Sequence, residues 1–103
     1  MTNVKGAEGG VEIKLDDQTA QGNYSNLAII SHSVTEFVVD FAAVLPGMHN
    51  PKVASRIILS PEHAKRLMLS LQENVSRYEN NHGPIKIHHR EVAPAKLKPV
   101  GEA

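Results

Sequence analysis

The alternation of apolar and polar positions divides this chain into short strands followed by one long helix. Val11, Ile13 and Leu15 alternate with Glu12 and Lys14, the pattern of a short half-buried strand. A polar turn region follows at residues 16–23, where Gly22-Asn23 suits a tight return. Leu27-Ala28-Ile29-Ile30 is too short and too β-branched for a helix and predicts a second strand, closed by Ser31-His32-Ser33. In residues 36–45, Phe37, Val39 and Phe41 share one face and Val38, Asp40 and Ala42 the other, which predicts a third strand stopped by Pro46-Gly47. After the loop Met48-His49-Asn50-Pro51, residues 53–59 read as a fourth strand. Strict alternation puts Val53, Ser55, Ile57 and Leu59 on one side and Ala54, Arg56 and Ile58 on the other.

The helix announces its own start. Ser60 offers a side-chain oxygen to a free amide of the first turn, and Pro61 stands where a missing N–H costs nothing. Glu62 places negative charge at the favourable end of the helix dipole. Ala64, Leu67, Met68, Leu71, Val75 and Tyr78 recur at helical spacing and fall on one face. Asn80, Asn81, Gly83 and Pro84 predict the end of the helix at about residue 80. The expected fold is therefore α+β. It is a small, mostly antiparallel four-stranded sheet in the order β-β-β-β-α, with one long C-terminal amphipathic helix packed on the face of Phe37, Val39, Phe41, Ile57 and Leu59.

Three regions follow from this pattern. Residues 1–10, with Gly6, Gly9 and Gly10, predict a flexible arm; residues 11–83 form a single domain; residues 84–103 read as an extended basic tail. Within the tail, residues 85–92 show a brief alternation of their own. The charge balance supports that division: residues 11–79 hold six Lys/Arg against eight Asp/Glu, whereas residues 80–103 hold four Lys/Arg against two Glu. Neither value has the size expected of a nucleic-acid-binding domain, so nucleic-acid contact is confined at most to Lys86, Arg90, Lys96 and Lys98 in the tail. There is no cysteine, no apolar run of membrane-spanning length and no hydrophobic leader at the start, so the expectation is a cytoplasmic protein without a membrane contact.

Candidate chemistry is sparse. His32, His49, His63, His82, His88 and His89 show no HExxH and no i,i+4 helical pair, so no metal and no cofactor is expected. His32 between Ser31 and Ser33 lacks an assignable orienting carboxylate, and a turn-stabilising role is the reading preferred. His63, Lys65 and Arg66 on the first turns of the helix make a weak anion-site candidate, set against a solvated helix face. The more informative feature is the sheet face that a single helix leaves open: Val38, Asp40, Ala42, Ala54, Arg56 and Ile58. It is apolar enough to want a cover, with Asp40 and Arg56 placed to pair across adjacent strands.

The run Tyr24-Ser25-Asn26-Leu27-Ala28-Ile29-Ile30-Ser31-His32-Ser33, then residues 36–41, Leu45-Pro46-Gly47 and residues 55–67 resemble a small bacterial family, domain-of-unknown-function family 3467. The resemblance covers residues 11–83, and the form with Tyr24-Ser25-Asn26 is similar to Bacteroidetes members. The loop Met48-His49-Asn50-Pro51 departs from the family's pattern. No catalytic residues are assigned to that family, so none is carried over. In the Bacteroidetes lineage the gene tends to lie beside that of the largest RNA polymerase subunit. The resemblance thus implies a non-enzymatic accessory protein that binds RNA polymerase. The alternatives are a homodimeric binding or chaperone-like module whose sheets cover each other, and a small anion-binding protein or enzyme built around His32, Arg56 and His63.

Overall fold

The computed structural model describes residues 2–5, 10–88, 97 and 99. Its centre is a three-stranded antiparallel sheet of β3 (Leu27–His32), β4 (Phe37–Ala42) and β5 (Val53–Leu59), with β4 in the middle. Consecutive strands lie side by side, β3 joined to β4 by the tight turn of residues 33–36 and β4 to β5 by the longer loop of residues 43–52, as expected of an antiparallel meander. The β3–β4 turn is tied by the Ser33 amide donating to the Glu36 carbonyl at 2.9 Å, and the Ser33 hydroxyl accepts from the amides of Thr35 and Glu36 at 3.3 Å. After β4, Pro46 and Gly47 form the middle of a turn closed by the Met48 amide on the Leu45 carbonyl at 3.1 Å. Gly47 has φ of 82°, as a type II turn requires.

Leading into the sheet, Ser25 and Asn26 fasten the start of β3 to the end of β4. Asn26 donates through Nδ2 to the Val44 carbonyl at 2.8 Å and accepts the Val44 amide on Oδ1 at 2.7 Å, while the Ser25 hydroxyl donates to the Ala42 carbonyl at 3.0 Å. These bonds continue the ladder where β-pairing ends.

Three expectations are corrected. First, the alternating segment at residues 11–15 forms a strand, β2 (Glu12–Leu15), but does not join the sheet. It pairs antiparallel with β1 (Thr2–Lys5) as a separate two-stranded hairpin, so the sheet has three strands rather than four. Period-two alternation marks a segment fit to pair, and the nearest segment closes the smaller loop. Thr2–Lys5 lies inside the stretch expected to be an arm; residues 1 and 6–9 lie outside the described residues. Between the two sheets, the polar turn region contains a single helical turn, α1 (Asp17–Ala20), capped by Asp16, which accepts the Thr19 amide at 3.2 Å. Gly22 beyond it takes φ of 76°.

Second, α2 (Pro61–His82) forms as its caps dictate. The Ser60 hydroxyl accepts the His63 amide at 3.2 Å, Pro61 opens the helix, and Gly83 closes it at φ of 92°. The apolar stripe, however, does not lie on the sheet: α2 has no buried residue, and Leu71 is 59% exposed. One residue, Ser60, separates Leu59 from Pro61. A strand-to-helix reversal ordinarily uses two residues or more, so the helix runs on from the end of β5 instead of folding back.

Third, the pairing of β4 with β5 shifts between Phe41 and Ala42. Ser55 stands opposite Phe41, but Ala42 stands opposite Val53, so the extra residue, Ala54, leaves the expected alternation. The core that results is small. Among the described residues only Val39, Asp40 and Ala42 are buried, all in β4, where a neighbouring strand flanks each side. In the tail, residues 83–88 are neither helix nor strand, and the Ile85 amide donates to Glu79 Oε2 at 2.8 Å. Of the basic tail residues, Lys86 is described; Arg90, Lys96 and Lys98 lie outside the described residues.

Candidate protein-binding face

The register divides the sheet into two faces. Phe37, Val39 and Phe41 stand opposite His32, Ile30 and Ala28 on β3, and opposite Leu59, Ile57 and Ser55 on β5. Val38, Asp40 and Ala42 stand opposite Ser31, Ile29 and Leu27, and opposite Ile58, Arg56 and Val53. Five of the six residues expected on the open face, Val38, Asp40, Ala42, Arg56 and Ile58, do share it. Ala54 does not. The β-bulge puts it beside Phe41, Ser55 and Ile57 in a shallow hollow that also takes in Asn23, Tyr24 and Ser25, and Val53 occupies its expected place.

Arg56 and Asp40 form the polar centre of this second face. Arg56 Nε donates to Asp40 Oδ1 at 2.7 Å and Nη2 to Oδ2 at 2.9 Å, a two-pronged arrangement that fixes both planar groups. The Asp40 side chain is 1% exposed and that of Arg56 57% exposed. The carboxylate is therefore roofed by the guanidinium, whose outer edge faces solvent. The Arg56 hydrogen bonds hold the Asp40 carboxyl below its ordinary value against the opposing effect of burial, and Asp40 raises the Arg56 value in return. Around the pair lie Val38, Ile29 and Leu27, all half-buried, and Ile58, 57% exposed. An apolar surround with a fixed, outward-facing arginine has the composition of a protein-binding hot spot, where arginine and large apolar groups are enriched.

The other expected sites do not converge. His32 lies on the opposite face from Arg56, its ring stacked on Phe37 at a centroid distance of 5.2 Å; the turn beside it is held by Ser33. At the start of α2, Arg66 is paired to Glu62 at 3.5 Å, and His63 contributes its amide to the helix cap. His63, Lys65 and Arg66 are all exposed on the helix surface, as a solvated face would have them. Among the described residues no group of three or more His, Asp or Glu is placed to hold a metal ion, and no helix is long and apolar enough to cross a membrane. The bracing role of Ser25 and Asn26 escaped the reading of the sequence, because a side chain that bonds backbone 17 or 18 residues away has no local pattern.

The architecture defines the class: an α+β protein with a three-stranded antiparallel sheet and a long C-terminal helix. Within that class the chain belongs to the family described as "Protein of unknown function (DUF3467)", whose model matches residues 1–87. No curated protein and no solved structure matches it.

Proposed function

We propose that this chain is a non-enzymatic interaction protein that seats a larger protein on the sheet face of Val38, Asp40, Ala42, Arg56 and Ile58, with RNA polymerase as the partner. The observation that carries the interaction reading is the Arg56–Asp40 pair. A carboxylate 1% exposed holds an arginine whose side chain is 57% exposed, in an apolar surround, on a face that no other element of the described chain covers. Fixing the guanidinium in advance removes part of the ordering cost of binding, and a partner's carbonyl or carboxylate on its outer edge supplies direction. The choice of polymerase rests on the family resemblance and its gene neighbourhood. A tail with more basic than acidic residues adds a second contact in the same reading. The protein acts in the cytoplasm in this account.

Recovery of the tagged chain from its host tests the proposal. Polymerase subunits in near-stoichiometric amount at moderate salt are expected, together with their loss in Ile58→Asp, a substitution at an exposed position that leaves the fold in place. Recovery of the chain without polymerase removes that partner. Retention of polymerase by Ile58→Asp removes the face.

A further inference from the structure

We infer that α2 of one copy lies on the Val39 face of a second copy, and the second copy's helix on the first, so that a homodimer assembles the core that one chain leaves open. This rests on the interaction-protein reading and adds a partner on the opposite sheet face, leaving the Arg56 face free.

The two halves of such an interface are both present and both uncovered. Along α2, Leu67, Met68, Leu71, Val75 and Tyr78 are 38–59% exposed. On the sheet, Ile30 is 62% and Ile57 45% exposed on either side of Val39. Their dimensions agree. From Leu67 to Tyr78 the stripe runs about 17 Å at helical rise, and six to seven strand residues span about 20–23 Å. A platform and a stripe in one chain occur in equal numbers in every pair of copies, which is the self-complementarity a two-fold interface requires.

The connection explains why the partner is a second copy and not the chain's own helix. Ser60 is extended, with φ of −66° and ψ of 157°, and is the only residue between β5 and α2. A joint this short directs the helix away from its own sheet, the circumstance in which an element is exchanged between protomers. Electrostatics does not oppose the approach, because 11 basic and 11 acidic residues leave the chain without net charge. The area is sufficient too. Seven half-exposed apolar side chains together with the partly exposed Phe37, Phe41 and Leu59 offer on the order of 700 Å² per copy, close to the ~800 Å² per partner of a stable pair.

The absence of cysteine makes the test direct, since introduced thiols have no competitors. Leu71 lies near the middle of the stripe, and Ile57 stands beside the central Val39, midway along the strands, so reversing the direction of the helix keeps the two within one strand of each other. The double variant Leu71→Cys/Ile57→Cys is expected to oxidise to a covalent dimer on a non-reducing denaturing gel. Single variants Leu71→Cys and Ile57→Cys, carrying tags of different mass, are expected to form the mixed dimer when combined. Light scattering should give twice the chain mass for the unsubstituted protein and half that value for Leu71→Glu. An intrachain disulfide, or a monomer mass for the unsubstituted protein, overturns the inference by returning the helix to its own sheet or to solvent. A dimer mass without the mixed disulfide overturns it in favour of another pairing surface. A monomer that still retains polymerase through Ile58 sinks the dimer and leaves the proposed function standing, whereas the mixed dimer without polymerase does the reverse.

Discussion

The central strand β4 and the helix α2 carry equally clear apolar patterns and meet opposite fates within one chain. β4 contains every buried position among the described residues, Val39, Asp40 and Ala42, whereas α2, more than three times its length, contains none. The difference lies in connection, not composition. Residues 33–36 and 43–52 give the chain room to return and set β3 and β5 on the two sides of β4, while a single residue carries α2 off the end of β5. An amphipathic pattern states that a face needs a cover; the connection decides whether the same chain can provide it.

The contrast can be broken by substitution, beginning with the largest effect. Val39→Asp puts an unpaired carboxylate at one of the most buried positions of the molecule and is expected to cost roughly 3 kcal/mol or more, read as loss of cooperative urea unfolding. If Val39→Asp unfolds like the parent protein, β4 is not the centre of stability. Leu71→Glu in α2 should leave far-ultraviolet circular dichroism nearly unchanged at low concentration, and should abolish the concentration dependence of the thermal midpoint that a dimer confers. A midpoint that stays concentration-dependent means that the stripe is not covered by a second copy.

Asp40 sharpens the comparison through pH. Its carboxyl sits below the ordinary value of 3.8 because Arg56 donates to the charged form, so the folded protein binds fewer protons at this site than the unfolded chain. The stabilisation is complete above pH 3.8 and is lost as the pH falls through the lower folded-state value. The stability gap between the parent protein and Asp40→Asn should therefore narrow on acidification below that point. A gap that is constant through the acid range removes Arg56 as the cause. The smallest effect is at the helix start, where Ser60→Ala removes the acceptor of the His63 amide and is expected to cost about 1 kcal/mol in urea titration. No change there means that the cap does not hold the joint between β5 and α2.

Much of this was legible in the chain. The strand at residues 53–59, the N-cap at Ser60, the turn at Pro46-Gly47 and the Asp40–Arg56 pairing were all readable, because each depends on neighbours in sequence or on the period of a strand. The misplacement of Ala54 has an equally definite cause. Alternation assumes an unbroken ladder, and no residue type in Val53-Ala54-Ser55 announces a bulge. Likewise Val11, Ile13 and Leu15 declared a strand without declaring its partner, and the backbone of Thr2–Lys5 was the partner it found.

The sequence by itself determined the elements, their caps and turns, and which positions require an apolar neighbour, since these follow from backbone stereochemistry and periodicity over a few residues. Only the tertiary structure decided that the sheet stops at three strands, that Asp40 is roofed by an exposed Arg56, and that the helix does not lay its stripe on its own sheet. Those outcomes depend on loop closure, ladder register and the reach of a one-residue joint, which bring together groups far apart along the chain or keep them apart.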